Sequence, residues 1–158
     1  TGNLYFKNEE HYEHDFFTGT PDIVSKRGKY LRDIKCSWDV FTFEKVKFDT
    51  INGNYYWQLQ AYMDLLGYDK AYLDYCLVDT PGMLIDREQR RLDYDEEITN
   101  LEESVRAMKE IEQNLMFGDI PIEDRVYTIE VKRNDKDIEE AKWRIESCRA
   151  WWKENLKD

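Results

Sequence analysis

Apolar and polar positions alternate or cluster along this chain in a way that predicts strands first and helices after them. Leu4-Tyr5-Phe6 reads as a short edge strand, and His11 to Phe17 as a polar–aromatic strand entering a hairpin. Ile23-Val24 and Tyr30 to Cys36 read as paired core strands, with Lys26-Arg27-Gly28-Lys29 as their polar turn. Phe41 to Val46 suits a short helix or an irregular turn. Ile51-Asn52-Gly53-Asn54 is a breaker, with Asn54 as candidate N-cap. A helix is expected over Tyr55 to Leu66, stopped by Gly67. Ala71 to Val78 is too apolar to face water on both sides and reads as a buried strand. Residues 82–95 are charged and read as a loop. Leu101, Val105, Met108, Ile111 and Leu115 form one apolar stripe, within a helix expected from about Asp95 to Met116. Arg125 to Val131 alternates as a strand. Asn134 or Asp135 then caps a last helix to about Leu156, with Ile138, Ala141, Ile145, Cys148 and Trp152 on one face. This order predicts an α/β (α+β) fold, a central mixed β-sheet flanked by helices.

The chain has 158 residues, of which 41% are hydrophobic and 15% aromatic, enough to bury a core as one domain. No apolar run approaches the ~20 residues that span a bilayer. The N-terminus lacks a basic region followed by an apolar core, so no signal peptide is read there. Cys36, Cys76 and Cys148 are odd in number, far apart and set in apolar segments. They are expected to be buried free thiols in a reducing cytoplasm.

The net charge of −11 argues against a general nucleic-acid coat protein. The charge is uneven. Residues 1–50 carry 8 Lys/Arg against 9 Asp/Glu, residues 51–100 carry 4 against 10, and residues 101–158 carry 11 against 15. The first third is thus nearly neutral, and it gathers Lys26, Arg27, Lys29 and Arg32 close together. A local groove can bind DNA without the whole chain being basic.

The chemistry is concentrated in Gly19-Thr20-Pro21-Asp22 and Asp33-Ile34-Lys35. Asp33 and Lys35 are two apart, so on a strand they share a face. Asp22 precedes Asp33 by eleven positions, room for a strand, a turn and a second strand. Pro-Asp is by itself a common turn pair. An Asp inside an apolar strand is disfavoured, however, and something must offset its burial. Two carboxylates and an ammonium meeting on a hairpin suit a divalent cation and an activated water. The bland alternative is an Asp33–Lys35 pair on a solvated strand, worth about 0–1 kcal/mol.

Pro21-Asp22 with Asp33-Ile34-Lys35 resembles the PD-(D/E)xK nuclease superfamily. Phe16 to Val24 is similar to the strand–turn–strand of lambda-type phage recombination exonucleases and RecB-type nuclease domains. Asp33-Ile34-Lys35-Cys36-Ser37 is similar to the acidic-x-Lys-Cys strand of the lambda-type group. Gln58-Leu59-Gln60-Ala61-Tyr62 matches the Gln-x-x-x-Tyr motif of RecB-like nucleases. The resemblance spans roughly Leu4 to Pro81, and beyond that only the order of elements agrees.

The resemblance implies a restriction-endonuclease-like fold and a metal-dependent deoxyribonuclease, a phage-type exonuclease working from DNA ends in recombination or repair. It implies Asp22, Asp33 and the Ile34 carbonyl as ligands of Mg²⁺ or Mn²⁺, Lys35 and Gln58 as catalytic partners, and Tyr62, Lys26, Arg27 and Lys29 toward DNA. A single-strand annealing recombinase and a homo-oligomer are its implied partners. An iron–sulfur cluster, carried by some relatives, needs four Cys and is rejected. Many relatives carry another acidic residue on a helix before the first strand. Here that helix lies upstream, or Glu9, Glu10 or Glu13 substitutes, or the residue is missing. An inactive nucleic-acid-binding or scaffold domain and a structure-directed endonuclease are therefore the rival expectations.

Two decoys are set aside. His11 and His14 are three apart and face opposite sides of a strand, with no further zinc ligands in sight. Glu130-Val131-Lys132 repeats the acidic-x-Lys spacing, but Asp119-Ile120-Pro121 puts its Asp before the Pro and after a helix, and no Gln-x-x-x-Tyr helix accompanies it, so Glu130 and Lys132 read as a surface strand face.

Overall fold

The computed structural model describes residues 4–92 and 100–155. Two short strands, β1 (Tyr12–Glu13) and β2 (Thr18–Gly19), pair antiparallel as a small hairpin. A four-stranded sheet has the order β3 (Ile23–Ser25), β4 (Tyr30–Ser37), β5 (Lys70–Leu77), β6 (Val126–Lys132). β3 and β4 are antiparallel, with Ile23 opposite Arg32 and Ser25 opposite Tyr30. The Leu77 N–H donates to the Arg125 carbonyl and the Arg133 N–H to the Asp69 carbonyl. Those bonds make β5 and β6 antiparallel, since one partner's number rises as the other's falls. The sheet is mixed, and β4 and β5 are its parallel pair, linked by a helical crossover. Among the described residues no helix is long and apolar enough to cross a membrane.

The chain forms two compact units. The first comprises the described residues of Thr1–Ile34, Ile51–Asp74 and Thr128–Asp158. Its core is Leu31, Leu59, Met63, Ala71, Leu73, Val131 and Ile138. α2 (Gly53–Leu66) buries Leu59, Tyr62 and Met63 at helical spacing. Gly67 ends the helix at φ 65°, the left-handed conformation that glycine adopts without a Cβ clash. The helix starts earlier than the pattern suggests. Asn52, not Asn54, is the N-cap, and its side chain accepts from the Asn54 N–H. α5 (Asp135–Asn155) follows Asn134, whose carbonyl accepts from the Ile138 N–H. Gln60, 1% exposed, donates to the Lys132 carbonyl at 2.8 Å and accepts from the Asn134 N–H at 2.8 Å. It thereby satisfies the chain between β6 and α5.

The second unit comprises Lys35–Thr50 and the described residues of Tyr75–Tyr127. Phe43, Tyr75, Leu77 and Phe117 are its buried apolar residues. α1 (Val40–Lys45) is capped by Asp39, which accepts from the Thr42 N–H at 2.7 Å. The charged stretch read as a loop contains α3 (Gly82–Leu92). Its Arg, Glu, Gln and Leu residues are good helix formers, and α3 packs against α4 (Leu101–Leu115). Asn100 caps α4, and Glu102 and Glu103 favour its N-terminal dipole. The earlier start expected near Asp95, and the end near Leu156 of the last helix, lie outside the described residues.

Three further expectations are corrected. Leu4-Tyr5-Phe6 is not a strand. His11 to Phe17 supplies only β1 and its turn. The cysteines are not a buried set, since Cys36 and Cys148 are exposed and Cys76 is half-buried. Cys36 shares the face of β4 opposite Asp33, and Cys148 lies on the part of α5 beyond Ile145, which is exposed throughout its described length. All five tryptophans are also well exposed, from Trp57 at 41% to Trp143 at 67%.

Candidate metal and nucleic-acid site

Pro21 is fully buried, and Asp22 follows it half-buried at the mouth of the β3–β4 hairpin. Asp22 Oδ2 accepts from the Ile34 N–H at 2.7 Å. The register of the hairpin thus brings the Asp22 carboxylate onto the backbone of the Asp33–Ile34 segment. Asp33 is 3% exposed, and Ile34, on the opposite face of β4, is 37% exposed. Lys35 is half-buried, and the two-residue period of β4 puts it on the same strand face as Asp33.

The loop bearing Asp22 is held from several sides within the first unit. The Asn8 N–H donates to the Asp22 carbonyl at 2.7 Å, and Asn8 Nδ2 donates to the Pro21 carbonyl at 3.0 Å. His11 Nδ1 lies 3.0 Å from Thr20 Oγ1, and its Nε2 lies 2.8 Å from Thr18 Oγ1. Tyr62, 9% exposed, packs on Gly19 so closely that a Cβ there would stand 2.4 Å from Tyr62 Cε1. Only glycine leaves room for that ring. Gln58 Nε2 donates to Tyr62 Oη at 2.9 Å, so the two members of the Gln-x-x-x-Tyr pattern are joined on one face of α2.

Asn8 and the Gly19–Tyr62 contact escape sequence reasoning. Asn8 lies in an irregular segment with no periodicity, and a glycine reveals a close approach only once its neighbour is placed. Lys26, Arg27 and Lys29 are all exposed on the β3–β4 turn, and Lys26 pairs with Glu10 at 3.1 Å. Glu10 also accepts from Tyr12 Oη at 2.7 Å. The Tyr12 hydroxyl and the Lys26 ammonium together lower the Glu10 pKa. His11 and His14 serve separate partners, His14 Nε2 lying 3.1 Å from Asp64.

The donor chemistry fits a hard divalent ion. Asp22, Asp33 and the Ile34 carbonyl offer oxygen only, the ligand type that Mg²⁺ and Mn²⁺ take. A carboxylate as buried as Asp33 must be offset by hydrogen bonds or positive charge. Among the described residues no three His, Cys, Asp or Glu side chains gather as a metal group. Glu9, Glu10 and Glu13 therefore do not complete the pair to a triad. Mg²⁺ needs no third carboxylate, because it commonly keeps several waters and takes one or two protein carboxylates.

No family model and no curated protein matches the chain. Two solved structures are similar to it. One is a phage-related exonuclease from Haemophilus somnus 129PT, with TM-score 0.69 and 26% identity over 98% of this chain and 63% of that one. The other is an alkaline exonuclease from Laribacter hongkongensis, with TM-score 0.57 and 16% identity over 99% of this chain and 60% of that one. The chain thus spans about three fifths of their length, and the second likeness speaks for the fold alone.

Proposed function

We propose, for a chain with the fold of the PD-(D/E)xK phage-type exonucleases, that it is the nuclease domain of a metal-dependent deoxyribonuclease working from DNA ends. The observation that supports this most is the hydrogen bond between Asp22 Oδ2 and the Ile34 N–H, which draws the first carboxylate to the strand carrying the second. Asp22, Asp33 and the Ile34 carbonyl hold Mg²⁺ or Mn²⁺. When bound, the ion supplies a water of lowered pKa and neutralises charge on the phosphoryl group. Lys35, two residues along the same strand, would orient that water as a hydrogen-bond donor. Its ammonium also opposes charge developing on the phosphate. Gln58 and Tyr62 brace the loop that presents Asp22, and the exposed Lys26, Arg27 and Lys29 meet the DNA backbone.

The single strand left behind suits an annealing recombinase as partner. Such work belongs in a bacterial or phage-infected cytoplasm, and a homo-oligomer would keep the enzyme on its DNA. A rival reading, a DNA-binding module that retains the fold without catalysis, draws on the lack of a third acidic side chain among the described residues. End-labelled linear duplex and closed-circular DNA, each with and without Mg²⁺, separate the readings. The expected result is Mg²⁺-dependent loss of linear DNA with the circle untouched. Cutting of the circle would indicate an endonuclease. DNA binding indifferent to metal, with no cleavage of either DNA, would leave the module.

A further inference from the structure

We propose that Cys36 and Cys76 form a paired-thiol redox site, which small-molecule disulfides oxidise to a bond between β4 and β5. The inference goes beyond the nuclease reading and stands independently of it. Both residues belong to the second unit. There the Val78 N–H donates to the Ser37 carbonyl at 3.0 Å. In a parallel ladder that bond sets either Ser37 opposite Leu77 or Trp38 opposite Val78. The two alignments are one and the same register, and in it Cys36 lies directly opposite Cys76.

Burial agrees with that register. Ser37 and Leu77 are buried together, at 7% and 4% exposure, whereas Cys36 is exposed and Cys76 half-buried. The two-residue period of a strand thus turns both thiols to the opposite, outer face. Neither is in a disulfide. On the other side of Cys76, the Leu77 N–H donates to the Arg125 carbonyl at 2.8 Å, which sets Val126 opposite Cys76. The apolar Val126 brings neither charge nor a further ligand to the pair.

The spacing suits disulfide chemistry. Neighbouring strands lie about 4.7–4.9 Å apart, within the ~4.4–6.8 Å Cα separation that a disulfide spans. The Cβ atoms must approach a little closer than the strands for the sulfurs to bond, so the bridge forms with a small local shift. A bridge of that kind is readily reduced, as regulatory disulfides are and structural ones are not. A structural thiolate–metal site takes four ligands, and among the described residues no three His, Cys, Asp or Glu side chains gather.

The difference in exposure assigns the roles. The exposed Cys36 meets the reagent RS–SR first. Its thiolate attacks one sulfur, the S–S bond breaks, one RS⁻ leaves, and a mixed disulfide forms on Cys36. The Cys76 thiolate then attacks the Cys36 sulfur and expels the second RS⁻. The two protons shed by the cysteines end on the two RS⁻ groups. The chain has lost two electrons, the reagent has gained them, and two RSH remain.

The test incubates the folded wild-type chain with glutathione disulfide, caps the remaining thiols with N-ethylmaleimide and maps the peptides by mass. Cys36 and Cys76 are expected to be found joined, and to lose their thiols with one time course. Cys148, the only cysteine of the first unit, serves as the internal control and is found capped or carrying glutathione. Dithiothreitol should restore both thiols, with far-ultraviolet circular dichroism unchanged throughout. Cys76→Ser should raise the glutathione retained on Cys36 about tenfold, because the neighbouring thiol that expels it is gone. A Cys76 that stays capped in the wild type, whether Cys36 is capped too or carries glutathione, overturns the proposal. So does a Cys36–Cys76 peptide that appears only in urea, or one that joins two copies of the chain. None of these readouts depends on nuclease activity, so the two readings stand or fall separately.

Discussion

Asp33→Asn is expected to lower Mg²⁺-dependent DNA degradation by about 10³-fold, because the charge stabilisation it removes is worth several kcal/mol and each 1.36 kcal/mol is a factor of ten in rate. The substitution keeps shape and size, so the 3%-exposed site remains filled. The variant should also lose the stabilisation that Mg²⁺ confers. An ion that binds only the folded state raises stability by RT ln(1 + [Mg²⁺]/Kd), and only the wild type should show that rise in Tm. Asp22→Asn should behave alike in activity, with some loss of stability, because its carboxylate also accepts from the Ile34 N–H. Activity and a Mg²⁺-dependent Tm that both survive Asp33→Asn would remove this residue from the metal site.

Asp64→Ala is expected to destabilise the fold by on the order of 3 kcal/mol, measured by urea denaturation at neutral pH. Asp64, its side chain 9% exposed, is met by Arg133 Nη2 at 2.7 Å, Lys142 Nζ at 3.0 Å and His14 Nε2 at 3.1 Å. Those contacts tie α2 to α5 and to the β1–β2 hairpin inside the first unit. Removing the carboxylate takes the more buried of two acidic partners from each cation, each only about one fifth exposed, and leaves Arg133 with the exposed Asp135 and Lys142 with the exposed Glu139. Burial by itself raises the Asp64 pKa, but hydrogen bonds and charge from Lys142 and Arg133 outweigh it and hold the value below the ordinary range. A lowered folded-state pKa means that the unfolded chain binds the proton more readily. The stabilisation is therefore complete above the unfolded value of about 3.9 and fades as the pH falls through the folded one. The gap between wild type and Asp64→Ala should accordingly be widest near neutrality and narrow below about pH 4. A gap that stays constant into strong acid would mean that the carboxylate's charge contributes nothing.

What the sequence makes legible depends on how local the cause is. The α2 helix and its stop at Gly67 can be read directly, since a helical stripe and a left-handed terminus are properties of adjacent residues. The β3–β4 hairpin is similarly plain, a polar turn between apolar strands. Other features need the tertiary neighbour. α3 shows a charged surface because the helix it packs against covers little of it, and charge alone reads as loop. Cys36 and Cys148 sit in apolar segments, yet the faces they occupy are uncovered. Asn8 braces the Pro21-Asp22 turn through two bonds, from a segment with no pattern of its own. The motif residues stand out in sequence because an acid on an apolar strand is costly. The residues that aim them do not, because their own chemistry is ordinary.

With every tryptophan at least 41% exposed in the native chain, intrinsic emission already lies to the red of a buried indole's. Unfolding then offers that probe little further red shift. Denaturation of this protein is better followed by far-ultraviolet circular dichroism, whereas a collisional quencher such as acrylamide becomes a sensitive reporter of anything that comes to cover its surface.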